Sequence, residues 1–96
     1  MKKSNLREFK NSNVLVTGGL GFVGSNLVIA LVKLGAKVTI VDSMIPGLGG
    51  NLFNIYPIRD KVTINFSDIR DVNAMNYLVR GRDFILWARE RLDKAS

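Results

Sequence analysis

The stretch Val14-Leu15-Val16-Thr17-Gly18-Gly19-Leu20-Gly21-Phe22-Val23-Gly24-Ser25-Asn26-Leu27 decides the fold of this 96-residue chain. Its first four residues are apolar or β-branched, the composition of a strand covered on both faces. The glycines then form two overlapping patterns, Gly19-x-Gly21-x-x-Gly24 and Thr17-Gly18-x-x-Gly21-x-x-Gly24. Both make the same physical demands. An early glycine permits a backbone turn that a Cβ atom would obstruct, Gly21 lets the chain approach a phosphate, and Gly24 lets a helix lie close to the strand. From Phe22 to Leu34, apolar residues at Val23, Leu27, Ala30, Leu31 and Leu34 recur at helical spacing, and Gly35 closes that helix. Backbone amides around Phe22 and Val23, at the positive end of the helix dipole, then face an anion.

Working outward, Val38-Thr39-Ile40-Val41 reads as a second strand ending at Asp42. Ser43 to Gly50 holds Pro46 and three glycines and reads as a loop, and Asn51 to Tyr56 as a short helix that Pro57 helps to end. Val62 to Phe66 is a third strand, and Asp71 caps a helix carrying Val72, Met75, Leu78 and Val79. Phe84-Ile85-Leu86-Trp87 is a fourth strand, with Phe66, Met75, Phe84 and Trp87 expected in the core. Strands alternating with helices predict an α/β fold. Right-handed crossovers arrange it as a four-stranded parallel sheet of order 3-2-1-4 with flanking helices, one half of a doubly wound sheet. The organisation expected is a polar lead over 1–12, this domain over 13–88, and a polar helix or tail over 89–96. The fourth strand then offers an edge for pairing, and a homodimer through that edge or the C-terminal segment is expected, with surface ion pairs among Arg89, Glu90, Arg91 and Asp93.

Composition narrows the class. With 47% hydrophobic and 23% charged residues the chain has the balance of a globular domain rather than a disordered or membrane-embedded one. Cysteine and histidine are both absent, which excludes disulfides, thiolate chemistry and histidine-based metal sites from these residues. Met1-Lys2-Lys3 is followed by polar sequence where the apolar core of a signal peptide would have to stand, so a cytoplasmic protein is expected. The net charge of +6 gathers near the two ends rather than in one patch, so a solvated surface is expected and a nucleic-acid partner is not.

The glycine turn is answered by Asp42, 18 positions beyond Gly24. That is close to the roughly 20-residue offset at which a carboxylate accepts hydrogen bonds from an adenosine ribose. A carboxylate there repels the additional phosphate of NADP, so the expected ligand is a dinucleotide and the expected cofactor NAD. Asp68 follows the third strand at the same edge of the sheet. Its side chain, or the amide of Ile69, can reach the adenine, while helix capping accounts equally well for Asp68 or Asp71.

The run from Val14 to Leu27 resembles the opening of the extended short-chain dehydrogenase/reductases, in particular the NAD-dependent sugar-nucleotide epimerases and dehydratases. Val41-Asp42-Ser43 with Gly49-Gly50-Asn51-Leu52, and Asp68-Ile69-Arg70-Asp71, extend the likeness over residues 13 to 86. The resemblance implies that Gly18, Gly21, Phe22, Val23 and Gly24 take the pyrophosphate, Asp42 and Ser43 the adenosine ribose, and Asp68 with Ile69 the adenine. It departs at Trp87-Ala88-Arg89-Glu90-Arg91, where the family has a small, alanine-rich turn. The family's catalytic Tyr-x-x-x-Lys pair has no counterpart here, since Tyr56 is followed four positions on by Asp60 and Tyr77 by Gly81. The expectation is therefore a truncated cofactor-binding module that is not catalytic alone. Two other readings stand beside it: a subunit completed by another polypeptide, and a non-enzymatic, self-associating protein that kept the fold.

Overall fold

The computed structural model of the chain describes residues 8–43 and 51–88. The signal-peptide reading of residues 1–3, the loop expected over 44–50 with Gly49 and Gly50, and the C-terminal helix or tail over 89–96 with its ion pairs lie outside the described residues.

The elements run β1 (Asn13–Thr17), α1 (Phe22–Lys33), β2 (Lys37–Asp42), a run of 3-10 turns (Leu52–Lys61), β3 (Val62–Phe66), α2 (Val72–Leu78) and β4 (Phe84–Trp87). The four strands form one sheet in the order β3-β2-β1-β4. All three pairings are parallel, with Val14 opposite Val38 and Phe84, and Thr17 opposite Val41 and Trp87. This is the expected topology. Strand alternation sends Val14, Val16, Val38 and Ile40 to one face, where they pack with Leu20, Val28, Leu31, Ile55 and Ile58 as the larger core cluster. The other face carries a smaller cluster of Leu15, Val41 and Leu78, flanked by Met75 and Val79. β1 is buried along its length from Val14 to Thr17 because it is central and covered on both sides.

Three local expectations are corrected. The helix after β1 does not turn Val23 and Ala30 inward: its buried residues are Gly24, Ser25, Val28 and Leu31. Apolar side chains run almost all round this helix, so periodicity does not single out a face. The smallest side chains do, because they allow the closest approach to β1. Pro57 does not end the segment after Asn51, which continues as 3-10 turns to Lys61 and buries Ile55 and Ile58 against the sheet. Tertiary burial outweighs the missing amide of a proline here. Trp87 and Phe66 are not core residues, being 63% and 57% exposed, whereas Phe84 and Met75 do pack against the two clusters.

Asp71 caps α2, its carboxylate accepting from the Ala74 amide at 3.1 Å, and Gly35 takes the positive φ expected beyond α1. The described part of the N-terminal lead is tied down as well. Asn11 N donates to Gly35 O, and the Phe9 ring lies 4.7 Å from that of Phe84, covering β4 on its core side.

Candidate functional site

All four strands end on the same side of the sheet, and the glycine turn sits at the end of the central one. Gly18 takes φ +74°, and a Cβ there would lie 2.3 Å from the Ala88 carbonyl oxygen. Its amide donates to Val41 O at 2.8 Å, and Thr17 O accepts from the Ala88 amide at 2.9 Å, so the turn is pinned from the ends of β2 and β4. A Cβ on Gly24 would stand 2.0 Å from Gly18 O, which fixes how closely α1 approaches the turn. Of the two overlapping patterns, the one beginning Thr17-Gly18 thus carries the turn. Gly19 instead lies flat on Ile40, where a Cβ would come within 2.7 Å of Cγ2.

Gly21 is the N-cap of α1 in extended conformation, with no side-chain cap and no acidic residue in the first turn that follows. The first turn of the helix thus contributes no carboxylate of its own at the positive end of the helix dipole. Phe22 and Val23, in that first turn, are 68% and 50% exposed at the same end of the sheet.

Leu20, buried at the top of the turn, links three segments. Its amide donates to Asp42 Oδ2 at 3.0 Å. Its carbonyl accepts from the Asn51 amide at 3.0 Å and from Asn54 Nδ2 at 2.8 Å. The Asn51 side chain in turn accepts from the Phe53 amide and starts the 3-10 segment. Asp42 thus reaches back from the end of β2 to brace the glycine turn.

Beside this turn runs a groove of about 600 Å³ lined by Thr17, Gly18, Val41, Asp42, Ser43, Ser67, Asp68, Ile69, Arg70, Trp87 and Ala88. Asp42, Ser43, Asp68 and Ile69, which come from the ends of two different strands, meet here with Gly18. Gly21, Phe22, Val23 and Gly24 stand at the start of α1, next to the turn rather than in the groove lining. A larger concavity of about 730 Å³ on the outer side of β3, among Phe53, Tyr56, Ile64 and Phe66, holds none of these residues.

Asp68 is not a helix cap. Its carboxylate accepts from the Arg70 amide at 2.8 Å and is gripped by the Arg70 guanidinium, with Nη2 2.6 Å from Oδ2. That side-chain hydrogen bond, with the backbone one behind it, lowers the Asp68 pKa from 3.8 to about 2, and the Arg70 pKa is raised in return. Arg70 and Asn54 are the site residues that pattern reading did not single out, and Trp87, expected in the core, lines the groove instead. Arg70 was open to detection as a cation two residues from Asp68, but nothing local marks Asn54. Among the described residues no cluster of acidic side chains is placed to hold a metal ion, and no helix is long and apolar enough to cross a membrane.

A family model described as the NAD dependent epimerase/dehydratase family matches residues 14–88. The chain belongs to this family. Its resemblance to the epimerases and dehydratases is distributed over sequence and structure alike. It is 36% identical over 81 residues to a dTDP-glucose 4,6-dehydratase of Streptomyces niveus, covering 76% of this chain and 24% of that protein. An epimerase from Methanothermobacter thermautotrophicus superposes with a TM-score of 0.78 at 30% identity, over 92% of this chain and 25% of that one. The Bordetella bronchiseptica enzyme WbmF in complex with NAD+ superposes with a TM-score of 0.71 at 34% identity, over 83% of this chain and 23% of that one. The chain thus spans about a quarter of the length of these epimerase/dehydratase relatives.

Proposed function

We propose that this chain is the NAD-binding portion of a sugar-nucleotide epimerase or dehydratase. The observation that carries the reading is the convergence of Gly18, Asp42, Ser43, Asp68 and Ile69 on one groove beside the glycine-started N-terminus of α1. A glycine turn, a helix that starts at a glycine with no acidic residue in its first turn, and a carboxylate at the end of the next strand are the set of groups that an adenosine diphosphate moiety requires. Gly18, Gly21, Phe22, Val23 and Gly24 hold the pyrophosphate, Asp42 and Ser43 the ribose, and Asp68 with the Ile69 amide the adenine. Asp42 also rejects a ribose phosphate by charge repulsion.

Bound NAD supplies a hydride acceptor to such enzymes; these residues would hold and orient it. They do not include a tyrosine with a lysine four positions on, and the two tyrosines present, Tyr56 and Tyr77, are exposed and stand outside the groove lining. Proton transfer to a sugar is accordingly assigned to residues other than these 96, on the same polypeptide or another. The absence of cysteine suits the reducing cytoplasm, where we place the protein.

Calorimetry on the 96-residue chain tests this reading. NAD and ADP are expected to bind with similar affinity, because the contacts lie at the adenosine and pyrophosphate, and NADP more weakly. Absence of heat with both NAD and ADP would overturn it.

A second property follows from β4. Among the described residues its outer edge has no partner strand, and Ile85 and Trp87 are exposed on one face. We propose that this edge mediates self-association of the chain, because an unpaired apolar strand recruits another.

A further inference from the structure

Leu20 stands between Gly19 and Gly21, and its side chain is fully buried. Burial anchors its Cα but not the two peptide planes on either side, and glycine neighbours offer little resistance to rotation of those planes. Each plane is held instead by a group from another segment. The Gly19–Leu20 plane is held through the Leu20 amide, which donates to Asp42 Oδ2. The Leu20–Gly21 plane is held through the Leu20 carbonyl oxygen, which accepts from the Asn51 amide at 3.0 Å and from Asn54 Nδ2 at 2.8 Å and so fills both of its lone pairs. In a trans peptide the carbonyl and the amide of one plane point in opposite directions. Fixing the Leu20 oxygen toward the 3-10 segment therefore turns the Gly21 amide back onto Gly18 O, at 3.2 Å. Gly21 is the N-cap of α1, so this plane sets the direction in which the helix starts. The donor itself is firmly placed, because the Asn54 amide donates to Asn51 O and the next residue, Ile55, is fully buried in the larger core cluster.

We propose that Asn54 is a positioning residue for the pyrophosphate of the bound dinucleotide, an inference that rests on the reading of the glycine turn as a nucleotide site. Asn54 is not part of the groove lining and acts through Leu20, 34 residues away in sequence, rather than by touching the ligand. Among the described residues its side chain bonds Leu20 alone. Only its amide end serves, since an oxygen in that place would face the Leu20 oxygen with no proton between them. The side chains assigned to the ribose and the adenine stand at the ends of β2 and β3, where Asn54 makes no hydrogen bond. Loss of the Asn54 donor is therefore felt at the phosphates and not at the adenosine.

The experiment is an NMR titration of the 96-residue chain with ADP and, separately, with adenosine. In the parent chain the Asn54 side-chain amide resonances are expected to move with ADP and to stay in place with adenosine. Asn54→Asp keeps the shape of the side chain but replaces the donor by an acceptor. It is expected to weaken ADP binding about fivefold, the loss of one hydrogen bond, and to leave adenosine binding as it was. Hydrogen exchange at the Gly21 amide is expected to be faster in that variant. Asn54→Gln, which keeps the donor on a longer arm, is expected to recover part of the ADP affinity. An Asp variant that binds ADP as the parent does would overturn the inference. So would one that loses ADP and adenosine alike, which would make Asn54 a support of the fold and nothing more. Should Asn54→Asp not fold, the parent titration decides: side-chain amide resonances that ignore ADP, or that answer adenosine equally, overturn the inference while leaving the nucleotide site standing. A parent chain that binds neither ADP nor adenosine would overturn the reading of the turn itself, and this inference with it.

Discussion

The carboxylate of Asp42 accepts a hydrogen bond from the backbone amide of Leu20 at 3.0 Å, across 22 residues of sequence. The side chain assigned to the ribose is therefore also a brace of the glycine turn assigned to the pyrophosphate. On the proposed reading cofactor selectivity and turn order share one residue, and substitutions at Asp42 can be chosen to separate them.

Asp42→Asn keeps an acceptor for the Leu20 amide but removes the charge. It is expected to narrow the gap between NAD and NADP while leaving the melting temperature close to that of the parent. Asp42→Ala narrows the same gap and also leaves a buried amide without this acceptor, at a cost of about 1–3 kcal/mol. Calorimetry with both cofactors and a thermal melt of each variant check this. Equal affinity of the unsubstituted chain for NAD and NADP would remove the selectivity role.

Gly24→Val places a branched side chain where the Gly18 carbonyl oxygen already lies 2.0 Å from an ideal Cβ position. The obstacle is backbone, which cannot swing aside as a flexible side chain does. α1 must move off the sheet, with an expected loss of about 1–3 kcal/mol or more. An unchanged denaturation midpoint would mean that helix and turn are not in close approach.

The Asp68 pKa, lowered from 3.8 to about 2, gives a pH dependence of known sign. A carboxylate whose folded value is depressed contributes fully above its unfolded value and loses that contribution as pH falls toward the folded one. The Asp68–Arg70 pair is therefore complete above pH 3.8 and is lost toward pH 2. Carboxyl-carbon NMR is expected to place the Asp68 midpoint near 2, and Arg70→Ala to return it toward 3.8. A midpoint that ignores the loss of Arg70 would break the assignment.

Self-association through β4 predicts a mass that rises with concentration. Replacing Ile85 by lysine puts a like charge on each copy at the contact and is expected to shift the equilibrium toward the single chain. Light scattering that reports 10.7 kDa at every concentration for the parent chain would sink the proposal.

Much of the fold is written in local sequence. Val14–Thr17 and Phe84–Trp87 carry apolar or β-branched runs of strand length and Val62–Phe66 an alternating one, and the glycine turn with Asp42 beyond it locates the site at the strand ends. Those signals are local because the central β1, covered on both faces, has to be apolar throughout, the edge strands β3 and β4 need apolar residues at least on the face they bury, and a turn that admits no Cβ has to be glycine. The helix face was not legible in the same way. Phe22 to Val32 is apolar almost all round, so only the clearance needed at Gly24 and Ser25 orients it.

The sequence by itself determined that this chain is a parallel α/β half-fold with a glycine-lined helix start and an acid at the next strand end. Each of those features is dictated by the conformations and surfaces available to individual residues. Only the tertiary structure decided that Gly18 rather than Gly19 turns the chain, that Leu20 is held between Asp42 and Asn54, that Arg70 takes the Asp68 carboxylate, and that Trp87 faces the groove instead of the core. These are contacts between segments far apart in sequence or choices between two faces of one strand. Neither is specified until the sheet register and the approach of the helix set which atoms meet.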